Sequence, residues 1–430
     1  MPFRFIHTAD LHLDSPLKSL ALRNGDLAEL VRGATREALT RIVDLCLAER
    51  VDALVIAGDL YDGGQTSMST ALFLVAELRR LTDAGISVFL IRGNHDALSK
   101  MTRELTLPDG VHLFSGRKRS HVAGRLADGR EVVVHGVSFA EPEAPQSLLP
   151  SYAPPTPDAI NIGLLHTSLS GSPGHDAYAP CAVADLVAHG FDYWALGHVH
   201  KRTVWHEVPH IVMPGMPQGR DINEAGERSV TLVTIDEKAG LSIEERVTAG
   251  AVFERLSVDV GGATEWRALL GRIDAALSSL RDSRRNGHLI LRVILTGATP
   301  LAWRLRRDRD LFLAEVESLA ASRGMSWIES VEIDCRDAVA ADGADPVAEL
   351  SAILDRDVLG THAAQSEALA AIDDLMRALP HEVRVALADS EEAAQALAAA
   401  SLAEGAADVL AHLRAAPSDG AAPPVRAGGL

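Results

Sequence analysis

Five short apolar runs in this chain each end in Asp, His or Asn, in a constant order. Residues 3–8 lead into Asp10 and His12, and residues 53–57 (Ala-Leu-Val-Ile-Ala) lead into Gly58 and Asp59. Residues 88–91 lead into Gly93-Asn94-His95-Asp96, residues 160–165 into His166, and residues 193–196 into Gly197-His198-Val199-His200. A β-branched apolar run closed by a polar side chain is the pattern of a buried strand that delivers a functional group at its C-terminal end. Asp59 stands centrally in this set and is expected to bridge two metal ions.

The 430 residues exceed one ordinary core, so two or three domains are expected. No run of eighteen apolar residues suggests a transmembrane helix, and the start carries neither a charged leader nor a cleavage site. Cys46, Cys181 and Cys335 lie far apart in no metal or redox motif, which suits a reducing, cytoplasmic setting. The net charge of −18 taken alone argues against a nucleic-acid partner. Its distribution weakens that objection, because residues 336–430 hold 16 Asp and Glu against 6 Arg, a net of −10. Arg284-Arg285 and Arg304, Arg306, Arg307 and Arg309 form local basic patches, although the second is more simply a solvated helix start.

In order, residues 1–250 read as one α/β unit. A helix is expected at 35–50 from the spacing of Leu39, Ile42, Val43 and Cys46, and another at 67–84. A hairpin pairs 122–126 with 131–137 through Asp128-Gly129, and 141–157, with six prolines, reads as a loop. Strands at 211–213, 229–235 and 241–247 would complete a second sheet, giving two sheets face to face with helices outside. Residues 251–335 read as a smaller strand–helix–strand–helix–strand module. Residues 336–415 turn to Ala, Asp, Glu and Leu, with helices near 346–355, 363–378 and 390–413. Residues 416–430, rich in Pro, Gly and Ala, are expected to be disordered.

The polar strand ends make chemical sense as a metal centre. Hydrolysing a phosphodiester needs an activated water and a clamp on the non-bridging oxygens, which two divalent ions about 3.5–4 Å apart can supply. Mixed carboxylate, imidazole and amide donors suit Mn²⁺, Fe²⁺ or Zn²⁺ better than Mg²⁺ or Ca²⁺.

Asp10-Leu11-His12, Gly58-Asp59, Gly93-Asn94-His95-Asp96, His166 and Gly197-His198-Val199-His200 together resemble the five signatures of the calcineurin-like metallophosphoesterases. The resemblance covers about residues 3–235. Residues 8–14 and 58–62 resemble the DNA-repair exonuclease branch, SbcD and the Mre nucleases. The string 10–17, Asp-Leu-His-Leu-Asp-Ser-Pro-Leu, is similar to the YhaO-like members of that branch. The resemblance implies a four-layer α-β-β-α sandwich with a small α/β capping domain and a helical C-terminal tail. It implies one ion held by Asp10, His12, Asp59 and His200, and a second by Asp59, Asn94, His166 and His198. His95 would help the leaving oxygen and Asp96 would orient His95. Some nucleases of the branch carry a histidine three positions after the bridging Asp; this chain has Asp62 there.

Other histidines carry plainer readings. His7 is expected to be packed in the core, and His112, His121, His135, His206 and His210 to be structural or exposed. His175 reads as a surface-loop histidine, with reach to a substrate as the alternative. Gly215-Met216-Pro217-Gln218-Gly219-Arg220 is either a tight turn or an approach to a phosphate backbone. The leading expectation is a metal-dependent DNA phosphodiesterase whose 336–415 helices dock a coiled-coil ATPase of the SMC/Rad type, with homodimerisation left open and no membrane involved. A small-substrate phosphodiesterase or phosphatase is the alternative, and a regulatory subunit with a vestigial site is disfavoured by the complete ligand set.

Overall fold

A computed structural model describes residues 2–15, 17, 25–62, 67–97, 106–114, 119–169, 178–238, 240–284, 287–338, 346–379, 384, 387–388 and 390–414. It divides into two compact units, Met1–Arg255 with Arg284–Leu291 and Met325–Glu329, and Leu256–Ser283 with Arg292–Gly324 and Ser330–Leu430. His175, Arg285 and the stretch 416–430 lie outside the described residues.

The first unit runs β1 (Phe3–Thr8), α1 (Gly25–Glu49), β2 (Ala53–Ala57), α2 (Met68–Asp83), β3 (Ser87–Ile91), β4 (Val111–Leu113), β5 (Arg119–Arg125) and β6 (Glu131–Gly136). It continues with β7 (Ile160–His166), α3 (Val183–His189), β8 (Tyr193–Gly197), β9 (Thr203–Glu207), β10 (His210–Met213), β11 (Ser229–Asp236) and β12 (Gly240–Val247). The strands form two six-stranded sheets, ordered β12-β11-β1-β2-β3-β4 and β5-β6-β7-β8-β10-β9. Strands β1 to β4 are parallel, as are β6, β7, β8 and β10, so their C-terminal ends gather on common edges. Strands buried on both faces become continuous apolar runs, which is why Ala53–Ala57 carries no alternation.

Phe5, Val55, Phe89 and Ile91 from the first sheet share one core with Val134, Ile162, Leu164, Tyr193 and Val212 from the second. The opposite face of the first sheet (Ile6, Leu54, Ile56, Val88, Leu90) packs on Leu39, Ile42 and Val43 of α1 and Leu74, Leu78 and Leu81 of α2. The opposite face of the second (Leu165, Trp194, Leu196, Ile211) packs on Leu186 of α3. Each such side chain taken from water contributes roughly 1.5–3 kcal/mol. His7 is a core residue: Nε2 donates to Leu196 O at 3.0 Å and Nδ1 accepts from the Tyr193 hydroxyl at 2.9 Å, which links the two sheets. Burial pushes its imidazole down to about 3, so it is neutral.

Three expectations need correction. Helix α1 starts at Gly25, ten residues before the expected 35, because Leu27, Ala28, Val31 and Ala34 are buried against Ile222, Phe253 and Ile290. Gly25 and Gly33, poor helix formers, hide that face in the sequence. Strands β11 and β12 do not complete the second sheet. β11 pairs antiparallel with β1, Phe3 opposite Ile235 through His7 opposite Thr231, so both join the first. Finally, the edge strands β4 and β9 were not anticipated, since β4 is only three half-buried residues and β9 is largely exposed, and neither makes a long apolar run.

The remaining elements are β13 (Ala251–Asp259), α4 (Trp266–Ser283), β14 (His288–Thr296), β15 (Ala298–Thr299), α5 (Ala302–Arg307), α6 (Arg309–Ser322), β16 (Ser326–Ile333), β17 (Arg336–Asp337), α7 (Pro346–Leu354), α8 (His362–Ala378) and α9 (Glu391–Arg414). β13, β14 and β16 form a three-stranded sheet. This keeps the expected strand–helix alternation, with the second helix broken at Asp308. The basic run here is engaged internally: Arg304 lies over Trp266 at 4.5 Å, Arg306 donates to Ile333 O at 3.0 Å, and Arg307 pairs with Asp308 at 2.6 Å. By length and composition alone, α9 could cross a membrane. Its Glu404 lies 3.8 Å from Arg309 and its Arg414 2.7 Å from Asp337, the contacts of a helix packed on folded protein.

Candidate metal centre

The loops after β1 and β2 prolong their strands side by side. Asp10 N–H donates to Gly58 O at 3.0 Å, His12 N–H to Asp59 O at 3.1 Å and Leu13 N–H to Leu60 O at 3.0 Å. Within this ladder Asp10, His12 and Asp59 take φ of 53°, 42° and 55°, and His198 on the other sheet takes 102°. Non-glycine residues in that region cost roughly 1–3 kcal/mol each and persist where the surroundings over-determine them. Glycines let the strand ends close in: a Cβ on Gly93 would lie 2.2 Å from Asp59 Oδ1, and one on Gly197 2.2 Å from Ala57 O.

The ends of both sheets meet in two groups of donors, Asp10 with His12 and His200, and Asp59 with His166 and His198, each spanning no more than 4.8 Å. His12 Nε2 and His200 Nε2 are 3.2 Å apart. His166 Nε2 lies 3.0 Å from Asn94 Oδ1 and 3.4 Å from Asp59 Oδ2, and that same oxygen is 3.9 Å from His12 Nε2. The His198 amide donates to both Asp10 oxygens, at 3.0 and 3.1 Å.

The outer ring nitrogens fix the tautomers. His12 Nδ1 faces Asp62 Oδ1 at 2.6 Å, His200 Nδ1 faces Glu224 Oε1 at 2.7 Å, and His166 Nδ1 faces Ala57 O at 2.9 Å. Carboxylates and carbonyls only accept, so each Nδ1 carries a proton, and each ring in its neutral form turns an Nε2 lone pair inward. Lone pairs facing one another at 3.2 Å call for positive charge between them. Two imidazoles at about 2.1 Å from one ion, subtending about 100°, stand about 3.2 Å apart. The residues therefore fit a divalent cation.

Burial opposes charge at His166, but the Asp59 and Asp10 carboxylates outweigh it and push the imidazole up to about 9. Burial likewise opposes ionisation of Asp59, while His166 and His12 hold it well below the carboxylate range. A proton on His166 Nε2 and a metal ion compete for the same lone pair. In chelator-treated protein, Mn²⁺ binding at pH 7 is expected to release about one proton from this residue, and affinity to rise up to tenfold per pH unit until about pH 9. Calorimetry in buffers of different ionisation enthalpy counts that proton; none released would place His166 outside the ligand set.

Asp96 does not do what the sequence suggested. Its buried carboxylate accepts from the amides of Leu60, Tyr61 and Gly93 at 3.0, 3.1 and 3.3 Å, tying the Asp59 loop to the Asn94 loop. Burial and the Asp59 charge push it up to about 7 despite those amides. The acid facing the His95 ring is Asp62, whose Oδ1 lies 3.7 Å from Nδ1. His95 is 43% exposed and stands outside the two groups of donors, in a third with His12 and Asp62. Glu224 was missed in the sequence, and Arg220 was named there only as the end of the 215–220 turn, since neither directly follows a strand. Their only signal is an opposite-charge pair four residues apart, with Nη2 3.0 Å from Oε1. Residues 215–220 are thus a built turn: Gln218 accepts from the Gly250 amide at 2.9 Å and donates to Ala251 O at 2.6 Å.

Comparisons with known proteins agree with this centre. The family described as calcineurin-like phosphoesterase matches residues 3–202, and the family described as metallophosphoesterase YhaO, middle domain, matches 253–336. The uncharacterized metallophosphoesterase YhaO of Bacillus subtilis is 34% identical over 317 residues, covering 73% of this chain and 76% of that protein. The DNA double-strand break repair protein Mre11 of Aeropyrum pernix is 26% identical over 316 residues, 70% of this chain and 74% of that one. Mre11 of Sulfurisphaera tokodaii is 26% identical over 208 residues, 47% of this chain and 50% of that one. With its strand-end donors, its tautomers and these matches, the chain belongs to the calcineurin-like metallophosphoesterases, hydrolases that use two divalent ions, and within them to the YhaO-like family.

Proposed function

We propose that this protein is a metal-dependent DNA phosphodiesterase, an exonuclease or endonuclease working in DNA repair. The inward-turned histidine lone pairs around Asp59 carry the hydrolytic part of this reading. DNA as substrate is supported by relatives named as double-strand break repair proteins. Two ions, held by Asp10, His12, Asp59 and His200 and by Asp59, Asn94, His166 and His198, would supply when bound an activated water and charge at the non-bridging oxygens. The mixed donors favour Mn²⁺, with Fe²⁺ or Zn²⁺ also fitting. His95 is the group left to act on the leaving oxygen. With Nδ1 toward Asp62, its Nε2 points away from that acid, and the imidazolium form can hand the Nε2 proton to the departing alkoxide and return to neutral. Asp96 keeps the His95 loop in place through backbone amides rather than through the ring.

Three buried free cysteines support a reducing, cytoplasmic setting. Exposed Ile353, Leu375, Val409 and Leu413 on the C-terminal helices support docking of a coiled-coil ATPase there. Truncation after residue 345 should abolish co-migration with such a co-expressed ATPase, and unchanged co-migration would move the surface elsewhere.

The direct test is Mn²⁺-dependent cleavage of end-labelled double- and single-stranded DNA, with a chromogenic phosphodiester alongside. His95→Ala is expected to lower turnover of DNA about 10²- to 10⁴-fold while keeping its Mn²⁺. Turnover of the ester with DNA untouched would favour a small-substrate phosphodiesterase instead.

A further inference from the structure

The histidines of the centre rest on unlike supports. Behind His166 stands a neutral carbonyl, Ala57 O. Behind His12 and His200 stand two carboxylates, Asp62 and Glu224. One guanidinium joins those carboxylates. Arg220 places Nη1 3.4 Å from Asp62 Oδ1 and Nη2 3.0 Å from Glu224 Oε1, and its amide donates to Glu224 Oε2 at 2.7 Å. Its side chain is only 17% exposed, and Nη1 also lies 3.5 Å from Ser15 Oγ, which itself donates to Asp62. Arg228 holds the same turn from behind, donating to His200 O at 2.7 Å and to Glu224 O and Ala225 O at 3.0 Å.

A buried cation this near a metal centre has two evident disadvantages. Its charge repels the ions, and desolvating it costs several kcal/mol. Its hydrogen bonds supply the compensating reason. A carboxylate left alone beside a divalent ion can rotate to ligate it. That change takes the acceptor away from a histidine Nδ1–H and frees the ring to turn. With Arg220 between them, Asp62 and Glu224 keep their oxygens on those protons. His12, Asp62 and His95 by themselves have the spacing of a third cation site, but Arg220 already provides the positive charge there.

We infer that Arg220 is a positioning residue that locks Asp62 and Glu224 as outer acceptors of His12 and His200, and so sets the affinity of one ion position while leaving the other alone. This rests on the two-ion reading of the centre and not on its substrate. Lysine cannot substitute, because a single ammonium does not present paired N–H groups to two carboxylates.

The test is titration of the chelator-treated full chain with Mn²⁺ alone, by calorimetry and by the paramagnetic resonance of free Mn²⁺. Unmodified protein is expected to bind two equivalents. Arg220→Met and Arg220→Lys should each weaken one equivalent roughly 10- to 100-fold and leave the second unchanged. Glu224→Gln should weaken the same equivalent, and Arg220→Met with Glu224→Gln should be no worse than the worse single change, since both act through one network. Thermal unfolding in chelator runs in parallel. Both equivalents weakening together with a fallen midpoint would reduce Arg220 to a fold residue and overturn the inference. Tighter Mn²⁺ binding by Arg220→Met would also overturn it, because charge repulsion would then outweigh positioning. Should Arg220→Met not fold, Arg220→Lys and Glu224→Gln decide the matter. Absence of Mn²⁺ binding by the unmodified chain would instead sink the reading of the centre itself.

Discussion

Asp59→Asn is expected to lower phosphodiester hydrolysis by more than about 10³-fold and to leave fewer than two Mn²⁺ ions bound. Oδ2 of this residue lies 3.4 Å from His166 Nε2 and 3.9 Å from His12 Nε2, so this carboxylate of one donor group faces a histidine of the other. Its other oxygen accepts the His95 amide at 3.1 Å, which sets the position of the proposed proton donor. An amide in its place has one acceptor oxygen and no charge, and two divalent ions held close together would repel without the negative charge between them. Turnover with Mn²⁺ and metal counting on the same preparation check both parts. A variant that still binds two ions and keeps a tenth of its activity would mean that another group bridges them.

Gly197→Ala should be the most damaging single methyl among the described glycines of the first unit, costing about 3 kcal/mol or more. The added Cβ would lie 2.2 Å from Ala57 O and 2.9 Å from Ala9 Cβ, and a backbone carbonyl inside a parallel sheet has nowhere to go. Gly33→Ala is the matched control. It lies within α1 with nothing inside 4 Å, so the helix should gain about 0.5–1 kcal/mol. Denaturant unfolding followed by tryptophan fluorescence compares the two. Equal midpoints would show that the two sheets can part at Gly197 without loss.

The strand ends were readable because chemistry and burial coincide there. His166 ends a parallel strand and Asp10, Asp59, Asn94 and His198 each follow one within three residues, and parallel strands in this setting are uninterrupted apolar runs. Pairing leaves no comparable trace, and so β11 was placed in the wrong sheet: its antiparallel partner β1 lies more than two hundred residues away. The supports of the site were hidden for a related reason. Asp62, Arg220 and Glu224 sit in irregular segments where no period marks a face, and their roles exist only once three loops have come together. Asp96 was misassigned because adjacency to His95 suggested a ring contact, whereas the turn at 94–97 directs its carboxylate to the amides of the neighbouring loop.

His166 and His198 belong to one sheet, while Asp10, His12, Asp59 and Asn94 belong to the ends of the other. That division has a consequence for the order of folding. Either sheet could collapse on its own helices, yet the donor set is split between them and is complete only after docking. An ion captured across the seam would act as a late clasp, closing a loop of more than a hundred residues between Asp59 and His166 and slowing the separation of the two halves. Metal uptake during refolding would therefore report the docking of the sheets rather than their formation.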